Sequence, residues 1–326
     1  MFDHTTVLKD EMIEKLSVKS DGTYIDCTVG GGGHSAKIAK NLSEKGTLVA
    51  IDQDKTALHA AENVLRKIKE DIIFVHDNFK NLKKIVEQNN LEKVDGIIFD
   101  LGVSSPQFDE AERGFSYRFD APLDMRMNQN EQLTAQKIVN TWDYNKLVHI
   151  FFTYGEERFS KQVARTIERE RKKAPIQTTF QLVEIIKQAI PARARRKGGH
   201  PARRIFQALR IAVNDELHVF EKTLHDAAEL VSIGGRIAVI TFHSLEDRIC
   251  KRAFKTWSKP IDVPQNFPVI PEDHLPPFKE ITRKPIEPSF EEVEKNRRAR
   301  SAKLRVVEKI RQWDQKFIHK EGWKQL

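Results

Sequence analysis

Four consecutive glycines, Gly30 to Gly33, separate an apolar run from an amphipathic one in the stretch YIDCTVGGGGHSAKIA, residues 24–39. Few features constrain a fold more. A chain dispenses with four side chains in a row where its backbone must turn through positive φ or approach something closely. The helix pattern that follows presents unpaired N–H groups at its start, and a strand precedes it. Such a loop lies at the carboxyl end of a parallel strand, where open sheets bind ligands. A flexible linker would not be held so tightly between two regular elements.

The surrounding pattern agrees. YIDCTV (24–29), TLVAID (47–52), IIFVH (72–76) and VDGIIFDL (94–101) read as short strands rich in Ile, Val and Phe. Between them, helical spacing runs over His34–Leu42, Lys55–Lys69 and Phe79–Asn89. Strand and helix in alternation predict right-handed crossovers, a mostly parallel sheet and an α/β fold of Rossmann-like type. A fifth strand, GRIAVITFH (235–243), comes only after more than a hundred residues, and KLRVVEK (303–309) reads as a closing strand. The interval is helical over 134–142, 145–154, 160–173 and 179–190, and a long helix over about 203–231 leads back to the sheet. The expected organisation is a discontinuous sheet domain, 1–107 with 211–326, carrying a helical insertion over 108–210. The proline-rich segment 257–278 is expected to be a surface excursion.

Two cofactors compete for the loop. Gly31-x-Gly33-x-x-Ala36 matches the dinucleotide fingerprint, with Asp52 placed about where a ribose-binding acid belongs. Asp26-x-x-x-Gly30-x-Gly32 matches the acid-plus-glycines pattern of S-adenosylmethionine enzymes. A pyrophosphate has no need of a neighbouring carboxylate, whereas the ammonium of an amino acid does, so Asp26 favours S-adenosylmethionine. Asp52 suits either ribose, and Asp54 is the better cap for the helix beginning at Lys55. Phe79 is a candidate to pack an adenine or the core. Asp100, ending the fourth strand, stands where cofactor and substrate meet in such folds.

Charge and composition narrow the partners. Net charge is +8, yet residues 158–204 alone carry fourteen Lys or Arg against three Asp or Glu. That segment is +11 and the remainder −3, so one basic region faces an anionic partner, of which nucleic acid is the commonest large one. Its densest part, RARRKGGHPARR (193–204), supplies Arg193, Arg195, Arg196, Lys197, Arg203 and Arg204 for phosphates. No apolar run is long enough to span a membrane, and no secretory leader is visible. Two cysteines, Cys27 and Cys250, make neither a disulfide framework nor a zinc cluster. The expectation is a cytoplasmic protein without a metal; its oligomeric state is not fixed by the sequence, and a homodimer stays open.

A specific resemblance spans almost the whole chain. HTTVL (4–8), GGHS (32–35), DLGVSSPQ (100–107), ERGFSY (112–117), PLDMRM (122–127), FQALRIAVN (206–214), FHSLEDR (242–248) and RSAKLRV (300–306) occur in the order found in the RsmH (MraW) family. That family comprises bacterial 16S ribosomal RNA cytosine-N4 methyltransferases. The resemblance implies a class I S-adenosylmethionine-dependent methyltransferase core with an inserted helical domain that recognises substrate. It further implies a cytosine in the decoding, P-site region of 16S rRNA as target, within the small ribosomal subunit. Carried over position by position, the cofactor contacts would be Gly32, Gly33, His34, Asp52, Phe79, Asp100 and Gln107, beside Asp26 and Gly30 from the loop itself. The chain departs from the family pattern at Ala202-Arg203-Arg204 and at Arg118-Phe119, both away from the loop.

The chemistry sets demands on further residues. An exocyclic amine on a pyrimidine is a poor nucleophile, because its lone pair is delocalised into the ring. Acceptors that hold its two hydrogens favour the reactive form, and alignment supplies much of the rate. Amino-group methyltransferases place an Asp/Ser/Asn-Pro-Pro-aromatic motif after the fourth strand; here Ser104-Ser105-Pro106-Gln107 lacks the second proline and the aromatic. Asp100, Ser105 and Pro106 are the candidate catalytic positions. The target base must leave its stack, which calls for aromatic surfaces such as Phe115, Tyr117 or Phe119. His243, ending the fifth strand, is a candidate substrate contact. A NAD-dependent oxidoreductase, a DNA amino-methyltransferase and a non-catalytic RNA-binding protein remain as other readings. Carboxylates at three strand ends argue against the last.

Overall fold

The computed structural model describes residues 6–196, 199–261 and 270–318, with the backbone alone at Ser105 and Pro106. It divides into two compact units, residues 1–102 with 217–324, and 103–216.

The first unit is built on a seven-stranded sheet: β1 Thr23–Asp26, β2 Thr47–Asp52, β3 Ile73–His76, β4 Val94–Asp100, β5 Val231–Thr241, β6 Phe278–Glu280 and β7 Lys303–Lys309. Their order is β3-β2-β1-β4-β5-β7-β6. The first five run parallel, while β7 is antiparallel to both β5 and β6. In β4 Val94 to Phe99 are all buried, as befits a parallel strand covered on both faces. The order reverses between β1 and β4, so their carboxyl ends flank the switch point where open sheets hold ligands.

Helices α1 Lys9–Leu16, α2 Gly33–Asn41, α3 Lys55–Leu65 and α4 Leu82–Gln88 accompany the first four strands. Asp54 caps α3 by accepting from Thr56 N, as its position predicts. α1 was not apparent in the sequence; Met12, Ile13 and Leu16 bury its inner face.

The second unit is helical. Its elements are α5 Ser105–Asp109, α6 Ala135–Thr141, α7 Tyr144–Thr153, α8 Ser160–Arg171, α9 Thr179–Ala189, α10 Ala192–Arg195 and α11 Arg203–Asn214. The expected helix over 203–231 is broken. Asp215 takes a left-handed φ of 50°, ending α11, and α12 Glu216–Leu230 starts at the next residue. Asn214 fixes the break, donating to Met125 O and Arg210 O and accepting from Met127 N.

α12 returns to the sheet unit, which α13 Ser244–Trp257 and α14 Phe290–Lys295 complete. The buried Lys309 ammonium holds the end of α12, donating to the carbonyls of Ala228, Glu229 and Val231 at 2.8–3.0 Å. Trp257, Phe278 and Trp313 pack together with centroids 5.3–5.9 Å apart. The proline-rich excursion is thereby tied down at Phe278, where the short edge strand β6 begins. The central part of that excursion, residues 262–269, lies outside the described residues. Among the described residues no helix is long and apolar enough to cross a membrane.

Candidate active site

β1, β2 and β4 each end on an aspartate, and the glycine loop runs among those carboxylates. Asp26 is 1% exposed; its two oxygens accept from Thr28 N at 3.0 Å and Ser35 Oγ at 2.7 Å. It therefore joins the start of the loop to the first turn of α2. Asp52 joins the loop to β2, accepting from Gly30 N at 2.9 Å and Asp54 N at 2.8 Å. Gly32 turns the chain into α2 at φ 82°, a conformation that side chains rarely adopt. At Gly33 a Cβ would lie within bonding distance of the Thr6 hydroxyl, so only glycine lets the N-terminal segment pass there.

That segment reaches the third carboxylate through His34. His34 Nε2 lies 3.0 Å from Val7 O, which can only accept, so Nε2 carries the hydrogen. Nδ1 is then directed at Asp100 Oδ2, 3.4 Å away. Asp100 Oδ1 has no hydrogen-bond partner. A buried orphan acceptor is costly, and it stands at the switch point. Asp100 N donates to Thr28 Oγ1 at 2.6 Å, fixing β4 to the loop.

Burial raises all three acids. It pushes Asp26 up to about 6 and Asp52 to about 7 against the partly compensating hydrogen bonds they accept. Asp100 goes well above the ordinary carboxylate range, through burial and then the charges of Asp26 and Glu246. The Asp26 charge disfavours ionisation of both Asp52 and Asp100, so the three suit a ligand that brings a positive charge and hydroxyl donors. Phe79, half-buried, sets its ring edge-to-face on Phe99 with centroids 5.8 Å apart.

His243 caps α13 rather than ending β5. Its Nδ1 faces Glu246 N at 3.4 Å, and Glu246 Oε2 accepts from Phe242 N at 2.7 Å and His243 N at 3.3 Å. His243 Nε2 lies 3.0 Å from Glu246 Oε1 without hydrogen-bond alignment. Glu246, 2% exposed, is the residue that the sequence reading missed. The spacing of a capping box, from 243 to 246, was the available signal.

In the second unit Gln107 is buried and accepts from Ser104 N at 3.1 Å, capping α5. Ser105 and Pro106 open that helix; their side chains lie outside the described residues. Phe115 is buried, while Tyr117 stacks on His200 with centroids 4.4 Å apart and planes within 4°. Phe119 is exposed. Arg193 and Arg195 on α10, then Arg196, are exposed, as are Arg203 and Arg204 in the first turn of α11. Arg204 has a distant ion partner, Glu157 at 3.9 Å. Lys197 lies outside the described residues. Among the described residues no group of three His, Cys, Asp or Glu is placed to hold a metal ion.

A sequence profile described as the MraW methylase family matches residues 1–310. A protein of Oceanobacillus iheyensis, "Ribosomal RNA small subunit methyltransferase H", is 60% identical over 324 residues, which are 99% of this chain and 100% of that protein. Among solved structures, an rRNA methylase from Streptococcus thermophilus shares 13% identity at a TM-score of 0.41, covering 93% of this chain and 94% of its own. An S-adenosylmethionine-dependent O-methyltransferase from Thermotoga maritima shares 10% identity at a TM-score of 0.42, covering 96% and 70% respectively.

Proposed function

Since the chain belongs to the MraW methylase family, we propose that it methylates the exocyclic N4 amine of a cytosine in the decoding region of 16S rRNA, using S-adenosylmethionine. The observation that carries this reading is the set of strand-end carboxylates, Asp26, Asp52 and Asp100, around the Gly30–Gly33 loop. When bound, the cofactor supplies an electrophilic methyl group on a sulfonium. Asp52 would accept from its ribose hydroxyls, Asp26 would supply negative charge for its ammonium, and Phe79 would pack its adenine. Gly32, Gly33 and His34 shape the loop, and Gln107 completes the set carried over from the family pattern.

Asp100 has a second part to play. Its Oδ2 faces His34 Nδ1 at 3.4 Å, while its Oδ1 meets no hydrogen-bond partner. It can therefore accept an amine hydrogen and favour the pyramidal nitrogen that attacks. The nitrogen sheds a proton readily after transfer, so no strong base is required. Ser105 and Pro106 are the other candidates to hold the amine, and His243 remains a candidate substrate contact through its ring.

The exposed arginines at 193–204 and Lys197 fit phosphate contact, which supplies most RNA affinity. The small ribosomal subunit as the physiological substrate, a cytoplasmic location and a homodimer belong to this proposal. Nucleoside mass spectrometry of small-subunit RNA tests it. Cells lacking the protein should lose N4-methylation at one cytosine and regain it on complementation. An unchanged modification profile would overturn the reading.

A further inference from the structure

We infer that Phe119 and Phe180, on the helical unit, form a stacking platform for unpaired RNA bases that continues the basic run. Both rings are solvent-exposed, at 51% and 44%. They rise from adjacent backbone positions that are firmly pinned. Buried Thr179 donates its hydroxyl to Phe119 O at 2.6 Å and accepts from Ala121 N, while its own N–H donates to Ala121 O. Phe180 N donates to Asp120 Oδ1 at 3.3 Å, which turns that carboxylate inward to the helix start.

A short stretch of chain joins this pair to the arginines. Tyr117, at most about 7 Å of backbone from Phe119, lies flat on His200 in the middle of the basic run. Arg118, between them, is exposed. Lys187 lies in the last turn of α9, and burial and then the Lys187 charge hold the His200 imidazole below its ordinary range. α9 thus runs from Phe180 at one end to the basic run at the other. Exposed rings next to cationic side chains suit a polyanion with aromatic bases, and single strands are held in just this combination. The proposal rests on the RNA-methyltransferase reading and deepens it: an unpaired segment beside the target, rather than a duplex, is the element held here.

The test compares a short single-stranded RNA with the same backbone carrying abasic residues, at several salt concentrations. Wild type should prefer the base-bearing strand. Phe119→Ala with Phe180→Ala should abolish that preference, losing about 5- to 150-fold in affinity per ring, with an unchanged salt slope and unchanged S-adenosylmethionine binding. Phe119→Trp should retain affinity, and its fluorescence should be quenched by the base-bearing strand only. Because both rings are exposed, the unfolding midpoint should not move. A wild type that methylates small subunits yet binds both strands equally would overturn the platform and leave the proposed function standing. A double variant that keeps its preference, or loses the salt slope instead, would overturn it too. So would loss of binding to whole subunits alone, which marks a protein-docking face, or dissociation of a dimer, which marks a contact between copies. Absence of RNA binding together with an unchanged cellular modification profile would remove the function reading and the platform with it.

Discussion

Asp52→Ala removes the acceptor that holds Gly30 N–H and Asp54 N–H, together with the proposed acceptor of two ribose hydroxyls. A hydrogen bond to an ionised group contributes about 1.5–3 kcal/mol. Affinity for S-adenosylmethionine should fall by that amount in calorimetry, and unchanged affinity would reduce Asp52 to a tie for the loop. The acids also make binding pH-dependent. Asp26 at about 6 and Asp52 at about 7 lie above the ordinary 3.8. Their contribution to stability is fully present below about pH 4 and is lost as the pH rises through 6 and 7. A ligand bringing ammonium and hydroxyl donors stabilises the ionised forms, so it releases protons on binding. Cofactor affinity should therefore rise from about pH 6 to about pH 8, with proton release visible in buffers of different ionisation enthalpy. A flat profile would separate these carboxylates from the ligand. Their positions were legible in the sequence because a strand end is a local pattern. Glu246 and the approach of Thr6 to Gly33 were not, since both depend on segments distant along the chain or on a cap.

At the scale of elements, Lys309 is the most exposed to test. Lys309→Met leaves the carbonyls of Ala228, Glu229 and Val231 without their donor in a buried place. An unmet buried acceptor costs about 1–3 kcal/mol. Urea unfolding followed by tryptophan fluorescence should show a loss of that order for the sheet unit, where Trp257 and Trp313 lie. No loss would mean that water replaces the ammonium. The strands β1 to β5 and β7 were readable because Ile and Val runs bounded by turns are local signals. β6, three residues long, was not, because its pairing with β7 rather than its composition makes it a strand. The break at Asp215 was hidden for a related reason: Asn214 bonds to Met125 and Met127, nearly ninety residues away along the chain. Apolar periodicity continues through it undisturbed.

For the whole molecule the question is whether charge and chemistry are separable. Net charge of +8 is concentrated in residues 158–204, while the remainder is slightly negative. The carboxylates, the glycine loop and Phe79 all belong to the sheet unit, and the arginines at 193–204 belong to the helical one. The dinucleotide reading of the loop gives way at this scale, because family membership spans residues 1–310 and not the glycines alone. Replacing Arg195, Arg196 and Lys197 together with Ala should weaken RNA binding while leaving S-adenosylmethionine affinity near wild type. The slope of log K against log salt should fall by about 0.7 for each phosphate of a single strand that is no longer neutralised. Arg195 and Arg196 are exposed and help hold no core, so the unfolding midpoint should stay in place. Equal loss of cofactor and RNA binding would mean that the run supports the fold. Unaltered RNA affinity and methylation would leave it a solvated surface, and the anionic partner would then have to meet the remaining cations of α8, Lys161, Arg165, Arg169 and Arg171. Of these Arg171 already donates to the carbonyls of Val139 and Trp142, and Arg169 is paired with Glu170 at 2.8 Å. Two cations committed elsewhere make α8 the weaker binder, which is why the triple substitution at 195–197 should produce the larger change in slope.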